Sequence, residues 1–175
     1  MSVAGSASIH ASAVRVGDRA VLIRGPSGSG KSRLAFDLIL AGRSGQIAPA
    51  VLIGDDRVHL GANGDQLIVR PAPALAGLIE IRGLGIRRCD FADAAAVGLV
   101  VDLYAADAAR LPSPQAQIAE LEGIKIPRIP VGIGFEARPL VIAALTMNAT
   151  SPSTHPSIDC SKGIGNHMSP TIATE

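Results

Sequence analysis

Eight consecutive residues near the start of the chain limit its fold more than any other feature. Residues 25–32 read Gly-Pro-Ser-Gly-Ser-Gly-Lys-Ser and fit the pattern G-x-x-x-x-G-K-[ST] of a phosphate-binding loop, or P-loop. The short apolar run before them, residues 20–24, is typical of a buried central strand. Apolar residues at helical spacing after them predict a helix over residues 32–41. A strand, a loop and a helix in this order predict an α/β fold built around a P-loop.

Each residue type in the loop has a physical reason to be there. The glycines let the backbone wrap closely around phosphate groups, and the positive end of the following helix faces the same anion. Lys31 can reach the β- and γ-phosphates of a nucleotide, and the Ser32 hydroxyl can bind Mg²⁺. The alternative is a flexible Gly/Ser turn with a chance lysine, although the chain has only two other lysines, Lys125 and Lys162. The predicted nucleotide-binding residues are Gly25, Pro26, Ser27, Gly28, Ser29, Gly30, Lys31 and Ser32.

Two adjacent carboxylates, Asp55 and Asp56, follow the next predicted strand, residues 50–53. A carboxylate at the end of a strand in a P-loop sheet commonly binds Mg²⁺ or takes the proton of the phosphate acceptor, and two carboxylates can divide these roles. The alternative is an exposed turn, because Gly-Asp-Asp is ordinary turn chemistry. His10 lies on a strand predicted over residues 9–15. It could pair with a carboxylate, or it could be a structural histidine.

Glu80 is a third acidic residue with a conspicuous position. It is one of only five glutamates, and it sits in an apolar strand predicted over residues 78–82. A buried, unpaired carboxylate is costly, so this side chain is expected to have a partner. The partner is either Arg82 on the same face of the strand or a metal ion, and both interpretations stay open.

Turn signals divide the rest of the chain into short elements. The Gly-rich segment 61–65 separates two β-rich runs and predicts a hairpin. Further strands are predicted over residues 86–88, 98–103 and 124–131, and helices over residues 115–121 and 139–147. The length favours one domain, which we place at residues 1–150. The Ser-, Pro-, Thr- and Gly-rich remainder, residues 151–175, is predicted to be a flexible tail.

Composition and charge exclude several functional classes. Apolar residues make up 47% of the chain and aromatic residues only 2%, so the core must be built from Ala, Val, Ile and Leu. The formal net charge of +1 provides no basic surface for nucleic acid or an anionic membrane. The chain starts without a secretory signal pattern, and its most apolar stretch, residues 94–103, is too short to span a bilayer. A cytoplasmic protein without nucleic-acid or membrane partners is predicted.

These features together resemble the HPr kinase/phosphorylase family. The resemblance rests on His10, the P-loop, Leu52-Ile-Gly-Asp-Asp56 and Glu80-Ile-Arg-Gly-Leu-Gly-Ile86, which occur in the order of that family's C-terminal catalytic domain. It covers residues 9–148, and the Glu80–Ile86 segment is its most specific part. It implies a short form without the family's N-terminal domain, with a mixed sheet related to that of phosphoenolpyruvate carboxykinase.

The resemblance also implies an activity and roles for single residues. The activity is ATP- and Mg²⁺-dependent phosphorylation of a serine in HPr, the phosphocarrier of the sugar phosphotransferase system. Asp56 is then the general base, supported by His10, and Lys31 holds the transferring phosphoryl group. Ser32 and Glu80 hold Mg²⁺, while Asp55, from its position, is a further metal ligand. Arg110 is matched to an active-site arginine of the family.

Two departures from the family pattern affect the expected activity. Arg33 follows the P-loop serine where the family often has an acidic residue, and residues 129–139 keep only part of a Pro-Val-x-Pro-Gly-Arg loop. The family ties this loop to dephosphorylation and to subunit contact, so kinase activity is predicted, while phosphorylase activity and a homo-oligomer stay open. The alternatives are a P-loop kinase for another acceptor and a non-catalytic regulator that senses ATP.

Overall fold

The chain folds into one large mixed sheet with two helices and a small second sheet. The structure, a computed structural model, describes residues 7–149, so the predicted tail lies outside the described residues. None of the helices in that range has the length and apolar character needed to cross a bilayer. The strands are β1 (Ala7–Ile9), β2 (Ala11–Val16), β3 (Arg19–Arg24), β4 (Ala50–Gly54), β5 (Val58–Asn63), β6 (Gln66–Pro71), β7 (Leu78–Ile81), β8 (Gly85–Arg88), β9 (Ala95–Leu103), β10 (Ile118–Leu121) and β11 (Ile124–Val131), and the helices are α1 (Lys31–Arg43) and α2 (Ala137–Thr146).

The large sheet has the strand order β1-β5-β6-β9-β3-β2-β4. Strand β11 also pairs with β9, and β10 forms a hairpin with β11. The pairs β3–β9 and β9–β11 are parallel, whereas β2–β3, β2–β4, β5–β6 and β6–β9 are antiparallel. The predicted mixed sheet is therefore confirmed. The P-loop follows the end of β3, which lies between β2 and β9. Residues at the ends of the strands to the left and right of β3 can therefore reach it.

The core is aliphatic and lies on both faces of the sheet. Along β3, Val21 and Ile23 pack on the face covered by α1, while Ala20 and Leu22 pack on the opposite face. This alternation is the two-residue period of a strand, and burial on both faces explains why the run is apolar throughout. The interpretation of this run as a buried central strand is confirmed.

Two local predictions are wrong. Residues 115–121 do not form a helix, because β10 pairs with β11 through a tight turn at Glu122 and Gly123. Both turn residues have positive φ angles, 51° and 75°, as a two-residue hairpin loop requires. The strand predicted over residues 9–15 is interrupted at His10. The part before it pairs with β5, and the part after it pairs with β3 and β4.

Candidate active site

The P-loop joins β3 to α1, where the sequence predicts it. Gly30 precedes the first residue of α1 and has φ 97°, a left-handed conformation that a glycine adopts without strain. Gly25 has no room for a side chain, because a Cβ there would lie 2.6 Å from Ser29 Oγ and 2.9 Å from the Cβ of Leu103. The loop is thus packed closely against the end of β9, and its shape depends on these glycines.

Lys31 begins α1 and turns its ammonium back into the loop. Its Nζ donates hydrogen bonds to the carbonyl oxygens of Gly25, at 3.0 Å, and Pro26, at 3.1 Å. Burial lowers the pKa of the Lys31 ammonium, and the negative charges of Asp56 and Asp55 oppose this shift. An ammonium has three donors, so the two loop carbonyls leave one for an anion. A partly dehydrated cation held inside a P-loop is suited to bind phosphate.

Asp55 is buried and accepts three hydrogen bonds. Its Oδ1 accepts from the hydroxyls of Ser12, at 2.5 Å, and Ser32, at 2.9 Å, and its Oδ2 accepts from the backbone N–H of Glu80, at 3.0 Å. With a side chain only 3% exposed, it is not the residue of an exposed turn. Because the Ser32 proton points to this carboxylate, the lone pairs of the Ser32 oxygen remain available to a cation.

Asp56 is the next residue in the chain but has the opposite environment. Its φ of 64° is in the left-handed region, and its side chain is 70% exposed. Its Oδ1 lies 2.9 Å from Nε2 of His10. His10 occupies the interruption between β1 and β2, so the break in the strand brings the imidazole to the carboxylate. Of the two interpretations left open for His10, the structure shows the pairing with a carboxylate.

His10, Lys31, Ser32 and Asp56 line one cavity of about 880 Å³, to which the buried Asp55 is linked by its hydrogen bonds with Ser32 and Glu80. The P-loop forms its floor. The β2–β4 side contributes polar and charged groups, namely His10, Asp56, Glu80 and Arg82. The side formed by the ends of β9 and β11 contributes a largely apolar wall, namely Leu103, Tyr104, Val131, Gly132 and Phe135, and next to it Glu136, Ala137 and Arg138 at the start of α2. An open cavity with a phosphate-binding loop, an accessible carboxylate and an apolar wall is suited to hold a nucleotide beside an acceptor.

Comparison with known proteins matches this geometry. The family described as HPr Serine kinase C-terminal domain matches residues 1–158. The chain belongs to this family.

Curated relatives and a solved structure agree with that assignment. A protein of Streptococcus salivarius named HPr kinase/phosphorylase is 34% identical over 166 residues, which covers 81% of this chain and 47% of the relative. One of Mycoplasma mycoides with the same name is 42% identical over 81 residues, covering 46% of this chain and 24% of the relative. The chain therefore spans about half the length of the streptococcal relative. The structure of the Hpr(Ser) kinase/phosphatase from Coxiella burnetii is similar with a TM-score of 0.63 and 26% identity, covering 79% of this chain and 87% of that one.

Within this family member, Glu80 departs from the expectation of a buried carboxylate. Its side chain is exposed, so no desolvation penalty requires a partner, and the salt bridges of residues 7–149 include none between Glu80 and Arg82. Strand β7 buries Ile79 in the core and turns Glu80 the other way, as the two-residue period dictates. The side chains of Glu80 and Arg82 both line the cavity.

The oxygen donors of the cavity fit a hard divalent cation whose remaining ligands come from a substrate. Among residues 7–149, no three His, Cys, Asp or Glu side chains lie together as a metal site. Ser32 and Glu80 nevertheless line the cavity, and the buried Asp55 accepts hydrogen bonds from the Ser32 hydroxyl and the Glu80 backbone. Mg²⁺ in phosphate-transfer sites is usually bound by one or two carboxylates, waters and substrate phosphates. The donor set therefore fits Mg²⁺ accompanied by a nucleotide.

Arg110 is not brought into this group. It is exposed on the loop after β9, and the residues found to line the cavity do not include it. Its catalytic role stays a prediction.

Sequence reasoning missed an ion-pair network at the base of the P-loop. Arg24, which directly precedes Gly25, donates two hydrogen bonds to the Asp102 carboxylate, at 2.7 and 2.6 Å. Arg128 donates a third, at 2.5 Å, and also binds Asp107. Burial opposes ionisation of Asp102, but the hydrogen bonds from the two arginines outweigh it and lower the pKa of this carboxyl. The only signal in the sequence is Asp102 itself, a charge within an apolar strand.

Proposed function

We propose that this chain is an ATP-dependent protein kinase that phosphorylates a serine of HPr. The observation that carries the proposal is the accessible carboxylate of Asp56, paired with His10 at 2.9 Å and facing the same cavity as the lysine of the P-loop. The printed names of the relatives, HPr kinase/phosphorylase and Hpr(Ser) kinase/phosphatase, support HPr as the acceptor. Phosphoryl transfer depends on positioning and charge neutralisation, which this set of groups can provide.

The P-loop is proposed to hold the phosphates of ATP. Residues 25–32 would supply backbone N–H groups, and Lys31 would direct its remaining donor to the transferring phosphoryl group. Ser32, Asp55 and Glu80 would hold Mg²⁺. A bound Mg²⁺ supplies positive charge that neutralises the phosphate oxygens.

Asp56 is proposed to be the general base. It would accept the proton of the serine hydroxyl while the serine oxygen forms a bond to the γ-phosphorus. The bond from the γ-phosphorus to the bridging oxygen then breaks, and ADP leaves with that oxygen. His10 would hold the carboxylate in place through its Nε2. In the reverse direction the protonated Asp56 would return the proton to the serine oxygen. Arg110 would join this site only if its loop moved toward the cavity on substrate binding.

We further propose a single catalytic domain over residues 1–150 that works in the cytoplasm. The formal net charge of +1 provides no general attraction to nucleic acid or anionic lipid, which is consistent with a protein substrate. Sedimentation equilibrium of the full chain would establish whether it works as a monomer or as a homo-oligomer.

The test is transfer of label from γ-labelled ATP to HPr in the presence of Mg²⁺, with HPr whose target serine is alanine as the control. We expect label on the wild-type carrier only. Asp56→Asn should reduce the rate at least about 100-fold, because general-base catalysis typically contributes 10²- to 10⁴-fold. Asp65→Asn, on the exposed turn after β5, should leave the rate unchanged.

Other outcomes separate the alternatives. ATP binding without label on HPr, but with label on another protein, would favour a kinase for a different acceptor. ATP binding without transfer to any acceptor would favour a nucleotide sensor. Transfer by Asp56→Asn at the wild-type rate would refute the assignment of the base.

A further inference from the structure

The few aromatic residues of this chain are concentrated at the cavity. The sequence contains three phenylalanines, one tyrosine and no tryptophan. Three of these four side chains, those of Phe36, Tyr104 and Phe135, line the cavity. Phe36 packs partly against the core, but Tyr104 and Phe135 belong to neither core cluster, so the packing of the sheet does not explain their placement. We propose that Tyr104 and Phe135 form the subsite that stacks on the adenine base of ATP.

A large fraction of each ring is exposed to solvent. Phe135 is 75% exposed and Tyr104 is 44% exposed. Large exposed apolar surfaces beside a cavity usually belong to the binding site for its ligand. A flat ligand that covers both rings would remove apolar area from water. Adenine has this shape, and aromatic side chains stack readily on nucleic-acid bases.

The order of the strands places the rings at the end of the cavity where the base is expected. The P-loop leaves β3, with β2 and β4 on one side and β9 and β11 on the other. Asp56 follows β4, whereas Tyr104 follows β9 and Phe135 lies four residues after β11. The γ-phosphate and the base are opposite ends of ATP. If the γ-phosphate is directed to Asp56, the base extends over the β9–β11 side.

The loops that carry the two rings are held together. The N–H of Ala105 donates to the carbonyl of Val131, at 2.9 Å, which ties the end of β9 to the end of β11. The ring of Phe135 packs over Gly132, where an added Cβ would lie 3.4 Å from both that ring and the Cβ of Ala108. The fold therefore holds the two loops next to each other, and both rings line the same cavity.

Stacking also predicts the specificity of the subsite. A ring face recognises the flat surface of a base rather than its hydrogen-bonding edge, so such sites tolerate different bases. GTP should therefore bind almost as well as ATP. Tripolyphosphate, which has the phosphates without ribose and base, should bind to the P-loop alone and more weakly.

The experiment is isothermal titration of the full chain with MgATP and, separately, with magnesium tripolyphosphate. The inference rests on the nucleotide-binding part of the proposed function. Tripolyphosphate tests phosphate binding by the P-loop without involving the base subsite, so failure of one can be told from failure of the other. Phe135→Leu and Tyr104→Leu should each weaken ATP binding about tenfold, the lower part of the range for stacking on a base. Neither should change the affinity for tripolyphosphate. Phe135→Tyr, which restores a ring, should recover most of the ATP affinity, and Leu111→Ala, an exposed apolar residue outside the cavity, should have no effect.

Tyr104 also provides a direct signal, because it is the only tyrosine and there is no tryptophan. Stacking on adenine should quench the intrinsic fluorescence of this chain, while tripolyphosphate should not. Tyr104→Leu removes the fluorophore and serves as the blank, whereas the quenching at a fixed ATP concentration should be weaker in Phe135→Leu and unchanged in Leu111→Ala.

Several results would overturn the subsite. Equal affinity of the wild type for ATP and tripolyphosphate would overturn the base subsite, and the proposed kinase activity would still stand. If Phe135→Leu weakened the binding of ATP and of tripolyphosphate by the same factor, the substitution would have damaged the P-loop instead. A higher KM for HPr with unchanged ATP affinity would assign the rings to protein docking. ATP binding that depends on the rings, without phosphoryl transfer to HPr, would support the subsite and refute the kinase.

Discussion

Two carboxylates flank the strand that leads into the P-loop, and their partners carry different charges. On the β2–β4 side, Asp55 accepts hydrogen bonds from neutral groups, namely two hydroxyls and one backbone N–H. On the β9 side, Asp102 accepts from two guanidinium groups, those of Arg24 and Arg128. The charge of Asp55 is oriented but not neutralised by its hydrogen-bond partners, whereas that of Asp102 is balanced by arginine. We infer that Asp55 serves the reaction and Asp102 serves the fold.

Of these two carboxylates, Asp55 should have the larger effect on activity when its charge is removed. Asp55→Asn keeps the shape but places an amide where the hydroxyls of Ser12 and Ser32 donate. The rate of transfer to HPr should fall about 100-fold, because loss of a group that only orients a metal ligand can already cost that factor and Asp55 is proposed to hold the metal with Ser32. The apparent affinity for Mg²⁺ should fall as well, which magnesium titrations of the transfer rate would measure. A near-normal rate in Asp55→Asn would remove the distinction between the two carboxylates.

The same change at Asp102 should act on stability instead. Asp102→Asn leaves Arg24 and Arg128 without their shared counter-charge in a half-buried setting. Breaking a buried pair costs about 3–5 kcal/mol, and partial exposure places this loss near the lower limit. Urea unfolding should show a lower midpoint, while kcat at saturating ATP should change less than in Asp55→Asn. A loss of kcat as large as that of Asp55→Asn, with unchanged stability, would contradict this assignment.

The sequence predicts Asp55 better than Asp102, because the surroundings of Asp55 include a local sequence pattern and those of Asp102 do not. The P-loop, its strand and its helix form a local pattern, and the sequence alone predicted them. The sequence also predicts Asp55 and Asp56 at the end of a strand, but it does not predict the φ of 64° at Asp56 or the hydrogen bonds that hold Asp55. A backbone angle of this kind in a non-glycine residue is set by tertiary contacts, which sequence patterns do not report.

Long-range partners explain the remaining failures. Arg24 and Asp102 lie 78 residues apart, and they meet because β3 and β9 pair in parallel with these two residues in register. No periodicity within a single segment indicates such a register. Glu80 was expected to be buried because its neighbours are apolar, yet alternation along β7 exposes it to the cavity. The segment 115–121 is not a helix because residues 118–121 pair with β11 across the turn at Glu122 and Gly123, which lies outside the segment.

A smaller change tests how far the orientation of Asp55 depends on each donor. Ser12→Ala removes one hydroxyl from Asp55 Oδ1 and leaves that of Ser32 in place. Because a hydrogen bond to a charged group contributes about 1.5–3 kcal/mol, stability should fall by roughly 2 kcal/mol. The transfer rate should fall less than tenfold, since the Ser32 contact remains. Thermal unfolding and HPr labelling measure the two effects separately. If Ser12→Ala lost as much activity as Asp55→Asn, the Ser32 contact alone would not be enough to orient the carboxylate.

The smallest expected effect is the pH dependence of stability that Asp102 contributes. The arginine pairs lower the pKa of Asp102 in the folded chain below its unfolded value, which is about 3.9 for an aspartate. Its contribution is therefore fully present above that unfolded value and is lost as the pH falls toward the lowered folded pKa. As the pH is lowered below about 5, the free energy of unfolding should decline less for Asp102→Asn than for wild type. The variant lacks the stabilising contribution of ionised Asp102 at every pH. Asp65→Asn, exposed on its turn, is the matched control and should follow the wild type. Parallel curves for wild type and Asp102→Asn would mean that the arginines do not hold Asp102 ionised in acid, and the contrast with Asp55 would then rest on geometry alone.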